Sequence, residues 1–329
     1  MSLPQRPHPV LEVLDLRVGF PGNLAVQGVS FAIEQGKTMA LVGESGCGKS
    51  LTAFSILRLL PPTASIVGGQ VVFDGLDLAT LSARRLRDIR GKGISIILQE
   101  PMTSLNPVLS IGMQIREVIA RHEKLSRSQA RRRVVELLDL VGIPEPDRRY
   151  DQFPHNFSGG MRQRVMIAMA VACNPRLLIA DEPTTALDVT IQAQVMELLG
   201  RLRRQLSMAM LLITHDLGAV AQWADRVAVM YAGRIVEQAS VEEFFATPRH
   251  PYSRGLLDSS VGEGAHYTNT RLKEIRGSVA SAAGEAGCSF APRCPVAVAG
   301  CRTAPPKLKM IGPGVIRDGW SVACDLVPV

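Results

Sequence analysis

Aromatic residues are scarce in this chain: 9 Phe, 4 Tyr and 2 Trp make up 5% of its 329 residues. That scarcity argues against a nucleic-acid surface built on bases stacked between aromatics. Long hydrophobic runs are missing too. The longest, residues 165–173, stops at Asn174-Pro175, well short of the ~18 apolar residues that a membrane span requires. Residues 1–10 are polar and rich in proline, without the apolar core of a secretory leader. A soluble chain kept in the cytosol is expected. There are only 6 cysteines, and a reducing compartment disfavours disulfides between them. None of them sit at the two-to-four-residue spacing usual for structural zinc.

What is present points to a large globular core. Hydrophobic residues make up 46% of the chain, enough for a full interior. Its 329 residues exceed one typical domain of ~150, so a core with an appendage is expected. Net charge is +7, with arginines clustered at Arg84, Arg85, Arg87 and Arg90 and again at Arg131, Arg132 and Arg133. Such clusters read first as solvated helix faces.

The chain is organised around Gly43-Glu44-Ser45-Gly46-Cys47-Gly48-Lys49-Ser50. This is the phosphate-loop pattern G-x-x-x-x-G-K-[ST]: its glycines curl the backbone so that successive N–H groups face phosphate oxygens. Lys49 is placed to reach the β- and γ-phosphates, and the Ser50 hydroxyl to ligate Mg²⁺. The apolar residues 38–42 precede it as a buried strand, and residues 51–60 follow with helical spacing up to Pro61-Pro62. Residues 11–18 alternate like an edge strand, Pro21-Gly22-Asn23 forms a turn, and residues 25–33 and 70–73 are further strands.

Charged, helically spaced sequence occupies about 101–160, with Val134, Val135, Leu137, Leu138 and Val141 on one stripe. Continuous apolar runs at 177–180 and 210–213 have the signature of parallel strands covered on both faces. Residues 227–231 and 234–237 read as a hairpin about Ala232-Gly233. These elements predict an α/β fold of the P-loop NTPase type, residues 10–260, with a helical subdomain at about 101–160. A small cysteine-containing module, residues 261–329, follows.

The run at 177–180 ends in Asp181-Glu182. Adjacent carboxylates at the end of a buried strand need compensation. Asp181 suits Mg²⁺ and Glu182 an attacking water. Ser158-Gly159-Gly160 opens another helix and exposes backbone N–H groups as a second anion site. One nucleotide already has its cradle at residues 43–50, so this second site suggests a γ-phosphate supplied by a partner subunit.

With these motifs the chain resembles the ATP-binding subunits of ABC transporters over nearly its full length. Asn156-Phe157-Ser158-Gly159-Gly160-Met161-Arg162-Gln163 corresponds to the family signature, with Phe157 and Met161 departing from its commonest form. The resemblance makes Gln99 the Q-loop residue that touches Mg²⁺. It assigns Ala186-Leu187-Asp188 to the D-loop, His215 to the switch histidine and Phe20 to adenine stacking. It implies catalytic roles for Glu182, His215, Lys49 and Gln99, with Ser50, Gln99 and Asp181 on Mg²⁺. ATP would be held by Phe20, Gly43, Glu44, Ser45, Gly46, Cys47, Gly48, Lys49, Ser50 and Leu51, and across a dimer by Ser158, Gly159, Gly160 and Asp188.

Residues 99–107 and Thr247-Pro248-Arg249-His250-Pro251-Tyr252 resemble the branch that imports dipeptides, oligopeptides or nickel. In that branch the tail Gly287-Cys288-Ser289-Phe290-Ala291-Pro292-Arg293-Cys294 is similar to one that binds a four-iron four-sulfur cluster. The resemblance implies Cys288, Cys294, Cys301 and Cys324 as its ligands; zinc and unligated thiols remain open. It further implies a second homologous ATPase subunit, two transmembrane permease subunits and an extracytoplasmic peptide-binding protein. Nucleic acid is not expected as a partner, and the protein is placed peripherally on the cytoplasmic face of the membrane. Rival readings are a nickel or glutathione importer and, more remotely, a non-membrane ABC ATPase acting on DNA or ribosomes.

Overall fold

A computed structural model describes residues 9–99, 104–185, 187–259, 274–282, 285–312 and 319–328. The expected start of the helical subdomain near residue 101, Ala186 and residues 261–273 lie outside the described residues. The chain divides into two compact units. One comprises residues 1–10, 34–37 and 80–213, and the other 11–33, 38–79 and 214–329. Among the described residues no helix is long and apolar enough to cross a membrane.

In the first unit the strands Ile94–Ile97, Leu177–Asp181 and Ala209–Thr214 run parallel, with Ile97 beside Ala180 and Asp181 beside Ile213. Every residue of the last two strands is buried, as continuous apolar runs require. Helices cover them. Ser110 caps Ile111–His122, and a reciprocal Ser126–Gln129 capping box starts Arg127–Leu140. Val134, Leu137, Leu138 and Val141 are buried as their spacing predicts, while Val135 at the edge of the stripe is only half-buried. The arginine-rich face stays at the surface: Arg131 stacks 4.2 Å over the Tyr150 ring and reaches Asp151 at 3.3 Å. Arg133 pairs with Glu136 at 3.6 Å.

The second unit holds an antiparallel sheet in the order Asn23–Ile33, Leu11–Phe20, Ser65–Phe73, Leu76–Asp77. Leu11 pairs with both Ile33 and Phe73. Leu11–Phe20 is thus an interior strand and not the edge strand expected. Alternating burial reports which face is covered, not how many neighbours a strand has. Its other strands run Lys309–Met310, Ser321–Val322, Arg234–Ser240, Arg226–Tyr231, Thr38–Val42.

Arg226–Tyr231 and Arg234–Ser240 form the expected hairpin. Its turn residues Ala232 and Gly233 sit at φ 45° and 82°, matching the strand twist as primed turns do. The helix after the phosphate loop ends earlier than Pro61-Pro62 suggests, at Ile56. Arg58 adopts φ 50° and Leu59 donates back to the Phe54 carbonyl at 2.8 Å, a left-handed termination that closes the helix locally.

The tail shares this unit's interior. Val322 pairs with Glu237, and Phe290 is buried against Tyr231, Tyr252 and His250. Buried Glu237 accepts from the Arg249 and His250 N–H groups, each at 2.8 Å, and from Trp320 Nε1 at 3.3 Å.

Candidate functional site

The phosphate loop joins the buried strand Thr38–Val42 to the helix Lys49–Ile56. Gly43 and Gly48, at φ 151° and 101°, could not be replaced. A Cβ on Gly43 would strike the Met230 carbonyl oxygen, and one on Gly48 would lie 2.9 Å from the Ala25 oxygen. Gly48 stands at the N-cap and no side chain caps the helix. Its first N–H groups carry the partial positive charge of a helix start. Lys49 is buried and donates to the Gly43 and Glu44 carbonyls at 2.7 and 3.0 Å. The Gly233 N–H donates to the Cys47 carbonyl at 2.9 Å and ties the loop to the hairpin turn. Cys47 itself is buried, which pushes its thiol pKa up and leaves it a packing residue.

In the same unit, Phe20 ends its strand 37% exposed. It lines a cavity of 730 Å³ together with Gly46 and Asn23. Residues of the tail, Val279, Glu285 and Ser289, line it as well.

In the other unit, Asp181 is buried at the end of its strand and Glu182 follows. Glu182 sits at φ 46°, a left-handed conformation that costs a non-glycine residue about 1–2 kcal/mol and that concentrates at functional positions. Its N–H is held by the Ile213 carbonyl at 2.9 Å. One carboxylate oxygen, Oε2, accepts from Gln99 Nε2 at 2.9 Å and from the Thr185 hydroxyl at 2.8 Å. Two sequence candidates are thus brought into direct contact, and a third residue joins them. Thr185 was not anticipated; a hydroxyl three residues past an acid, able to turn back on it, was the available signal.

The second anion-site candidate begins with Ser158, whose side chain accepts from the Met161 N–H at 3.3 Å. Gly160 packs against the helix Val189–Leu206: a Cβ there would lie 2.9 Å from Ile191 Cγ2. Buried Gln163 donates to the Pro183 carbonyl at 2.6 Å, pinning the signature helix to the segment that follows Glu182. Phe157, a departure from the commonest signature, is a buried core residue. Asp188 caps Val189–Leu206 through the Ile191 N–H at 3.0 Å. His215 is exposed just past its strand, and the neighbouring Asp216 caps Leu217–Trp223.

The four tail cysteines share one neighbourhood. Cys288 N–H donates to the Cys301 carbonyl at 2.7 Å. Burial pushes the thiols of Cys288 and Cys294 up, and nearby Cys324 acts on both in the same direction. Yet among the described residues no three or more His, Cys, Asp or Glu side chains stand where they could hold a metal ion. The expected iron–sulfur site is therefore not a ready-made cage among the described residues.

A phosphate loop on a strand–loop–helix and an acid-tipped parallel strand define a nucleoside triphosphatase of the P-loop class. Residues 26–185 match the family model described as ABC transporter, and residues 236–301 the one described as oligopeptide/dipeptide transporter, C-terminal region. The probable peptide ABC transporter ATP-binding protein y4tR of Sinorhizobium fredii is 52% identical, the match covering 94% of each chain. The oligopeptide transport ATP-binding protein OppD of Bacillus subtilis is 56% identical over 76% of this chain and 71% of that one. The same bacterium's dipeptide transport ATP-binding protein DppD is 48% identical over 96% and 94%. A dimeric post-hydrolysis structure of the ATP-binding cassette MJ0796 with ADP and Pi aligns at TM-score 0.62 and 26% identity, covering 70% of this chain and 98% of that one. The chain belongs to the ABC transporter ATP-binding proteins, and it is an ATP-hydrolysing cassette.

Proposed function

We propose that this chain hydrolyses ATP to drive a binding-protein-dependent importer of dipeptides or oligopeptides. The observation that carries the catalytic part is the contact of Gln99 and Thr185 with Glu182 Oε2 at the tip of a buried strand. A carboxylate held from one side by two donors is oriented to take a proton from water with its other oxygen. In this reading Lys49 and the loop N–H groups hold the phosphates, with Leu51 and Ser45 contributing backbone, while Glu44 shapes the loop without touching them because its N–H is taken by the Tyr252 hydroxyl. His215 positions the attacked γ-phosphate. Ser50, Gln99 and Asp181 offer a hydroxyl, an amide oxygen and a carboxylate, the hard oxygen donors that Mg²⁺ takes; the ion would offset charge on the phosphates. Ser158, Gly159, Gly160 and Asp188 serve nucleotide bound to a second, homologous ATPase subunit. The dimeric state of the MJ0796 cassette supports that arrangement.

The peptide cargo rests on the match of residues 236–301 and on the names of the relatives. Two permease subunits, an extracytoplasmic binding protein and a position on the cytoplasmic face of the membrane complete the assembly. The ATP-binding domain is proposed to span 10–260 with a helical subdomain at about 101–160, and residues 261–329 to form the peptide-importer-type extension.

For the tail we keep a four-iron four-sulfur cluster on Cys288, Cys294, Cys301 and Cys324. Thiolates are the ligands such a cluster takes, and Cys324 lies near both Cys288 and Cys294, with Cys301 beside Cys294. Anaerobically purified protein should then carry about four irons per chain; iron-free protein ends this part of the proposal. Cargo is tested by uptake of labelled dipeptide, a longer peptide and nickel in cells carrying Glu182→Gln. Loss of peptide uptake alone supports the proposal, and loss of nickel uptake alone overturns it.

A further inference from the structure

The phosphate loop is held from a distance of 249 residues in sequence. Arg293 Nη1 and Nη2 donate to the two carboxylate oxygens of Glu44 at 2.8 and 2.9 Å, the fork-to-fork geometry that only arginine provides. The Arg293 side chain is 3% exposed. It also donates to the Arg276 carbonyl at 2.8 Å and the Ile275 carbonyl at 3.0 Å in the tail, and to the Tyr231 hydroxyl of the hairpin at 3.4 Å. Glu44 is gripped at two further points. Its N–H donates to the Tyr252 hydroxyl at 2.9 Å, and its carbonyl accepts Lys49 Nζ at 3.0 Å. The lysine of the phosphate loop thus rests on a backbone group whose residue is anchored by the tail. On the loop's other side, Val279, Glu285 and Ser289 of the tail line the cavity that contains Phe20 and Gly46.

We propose that Arg293 is a positioning residue for nucleotide binding: it fixes Glu44 and cancels a carboxylate that would otherwise face the polyphosphate. This rests on the reading of residues 43–50 as the ATP phosphate site. A negative charge beside a loop built for anions works against its ligand. At an effective dielectric of about 20, a unit charge within several ångströms is enough to weaken binding by roughly tenfold. The arginine removes that charge and holds the loop at the same time. The tail thereby becomes part of the nucleotide site of its own chain, not only an appendage to it.

The test is equilibrium binding of the fluorescent nucleotide mant-ATP, with Mg²⁺, to the full-length chain. Arg293→Ala should bind about tenfold more weakly, and adding Glu44→Gln to it should restore affinity to within about threefold of the parent. The unfolding temperature of each variant, read beside the affinity, separates a charge-and-position role from general damage to the tail, because neutralising an unpaired Glu44 also relieves a stability loss. Affinity lost in Arg293→Ala at an unchanged unfolding temperature supports the proposal, and affinity that only tracks stability overturns it. Arg293→Lys, which keeps the charge but not the fork, should fall between the parent and Arg293→Ala and covers the case in which alanine unfolds the tail. Unchanged affinity in Arg293→Ala overturns the proposal, as does a double variant no tighter than the single one. Lys49→Ala, measured alongside, must lose mant-ATP binding. If it binds as the parent does, the phosphate-loop reading falls and the proposal with it.

Discussion

Glu182→Gln separates catalysis from architecture with little else disturbed. Two hydrogen bonds converge on one atom, Glu182 Oε2, at 2.9 Å from Gln99 and 2.8 Å from Thr185. A glutamine oxygen in the same place can accept both, and the new NH₂ falls where the proton-accepting oxygen was. The structural loss is the charge assistance of two bonds, on the order of 1 kcal/mol in all. The backbone at φ 46° is equally costly for either residue. The chemical loss is the base: the variant cannot take the proton of the attacking water, and positioned bases contribute about 10²–10⁴-fold. Phosphate release at saturating Mg-ATP should therefore fall by at least about a hundredfold, with mant-ATP affinity and unfolding temperature close to those of the parent. Hydrolysis within tenfold of the parent would refute the assignment of Glu182 as the base. A large drop in unfolding temperature would instead show that the two hydrogen bonds matter to the fold more than their exposed and half-buried settings imply.

Two further outcomes follow from packing and burial. Gly160→Leu must displace Ile191, whose Cγ2 lies 2.9 Å from where even a Cβ would stand. Denaturant titration should show a loss of about 1–3 kcal/mol, typical of overpacking, while Gly159→Ala, with only Leu187 at 3.9 Å, should be tolerated far better. His250 is buried, with Nδ1 accepting the Tyr252 N–H at 3.1 Å, and burial pulls its pKa from 6.5 down to about 3. The unfolded chain binds a proton in this range and the folded one does not. The stability this group confers is thus fully present above pH 6.5 and is lost as pH falls toward about 3. Its contribution to the slope is at most about 1.4 kcal/mol per pH unit, and His250→Gln should flatten the measured stability profile between pH 6 and 4 by about that much.

The sequence by itself determined the phosphate loop and the acid-tipped strand, whose signals lie between neighbouring residues, though not the left-handed stop of the helix at Ile56 or the turn of Thr185 back onto Glu182. Gly43, Gly46 and Gly48 demand a backbone of positive φ, Lys49 follows at fixed spacing, and an apolar run before and a helical one after leave the loop one local conformation. The buried strand ending in Asp181 and Glu182 was legible for the same reason, since its period and its acids are adjacent in the chain. Whether Leu11–Phe20 lies at an edge or inside its sheet was not legible, because one face buried is all that alternation records.

Only the tertiary structure decided which distant groups meet. Gln99 reaches Glu182 across 83 residues, and Arg293 reaches Glu44 across 249. Neither spacing carries any periodic or local signal. The Arg293–Glu44 contact exists because the chain must bury Phe290, Tyr231 and Tyr252 in one interior. Burying those rings brings the tail's arginine to the loop, and the carboxylate waiting there lets the buried cation be satisfied.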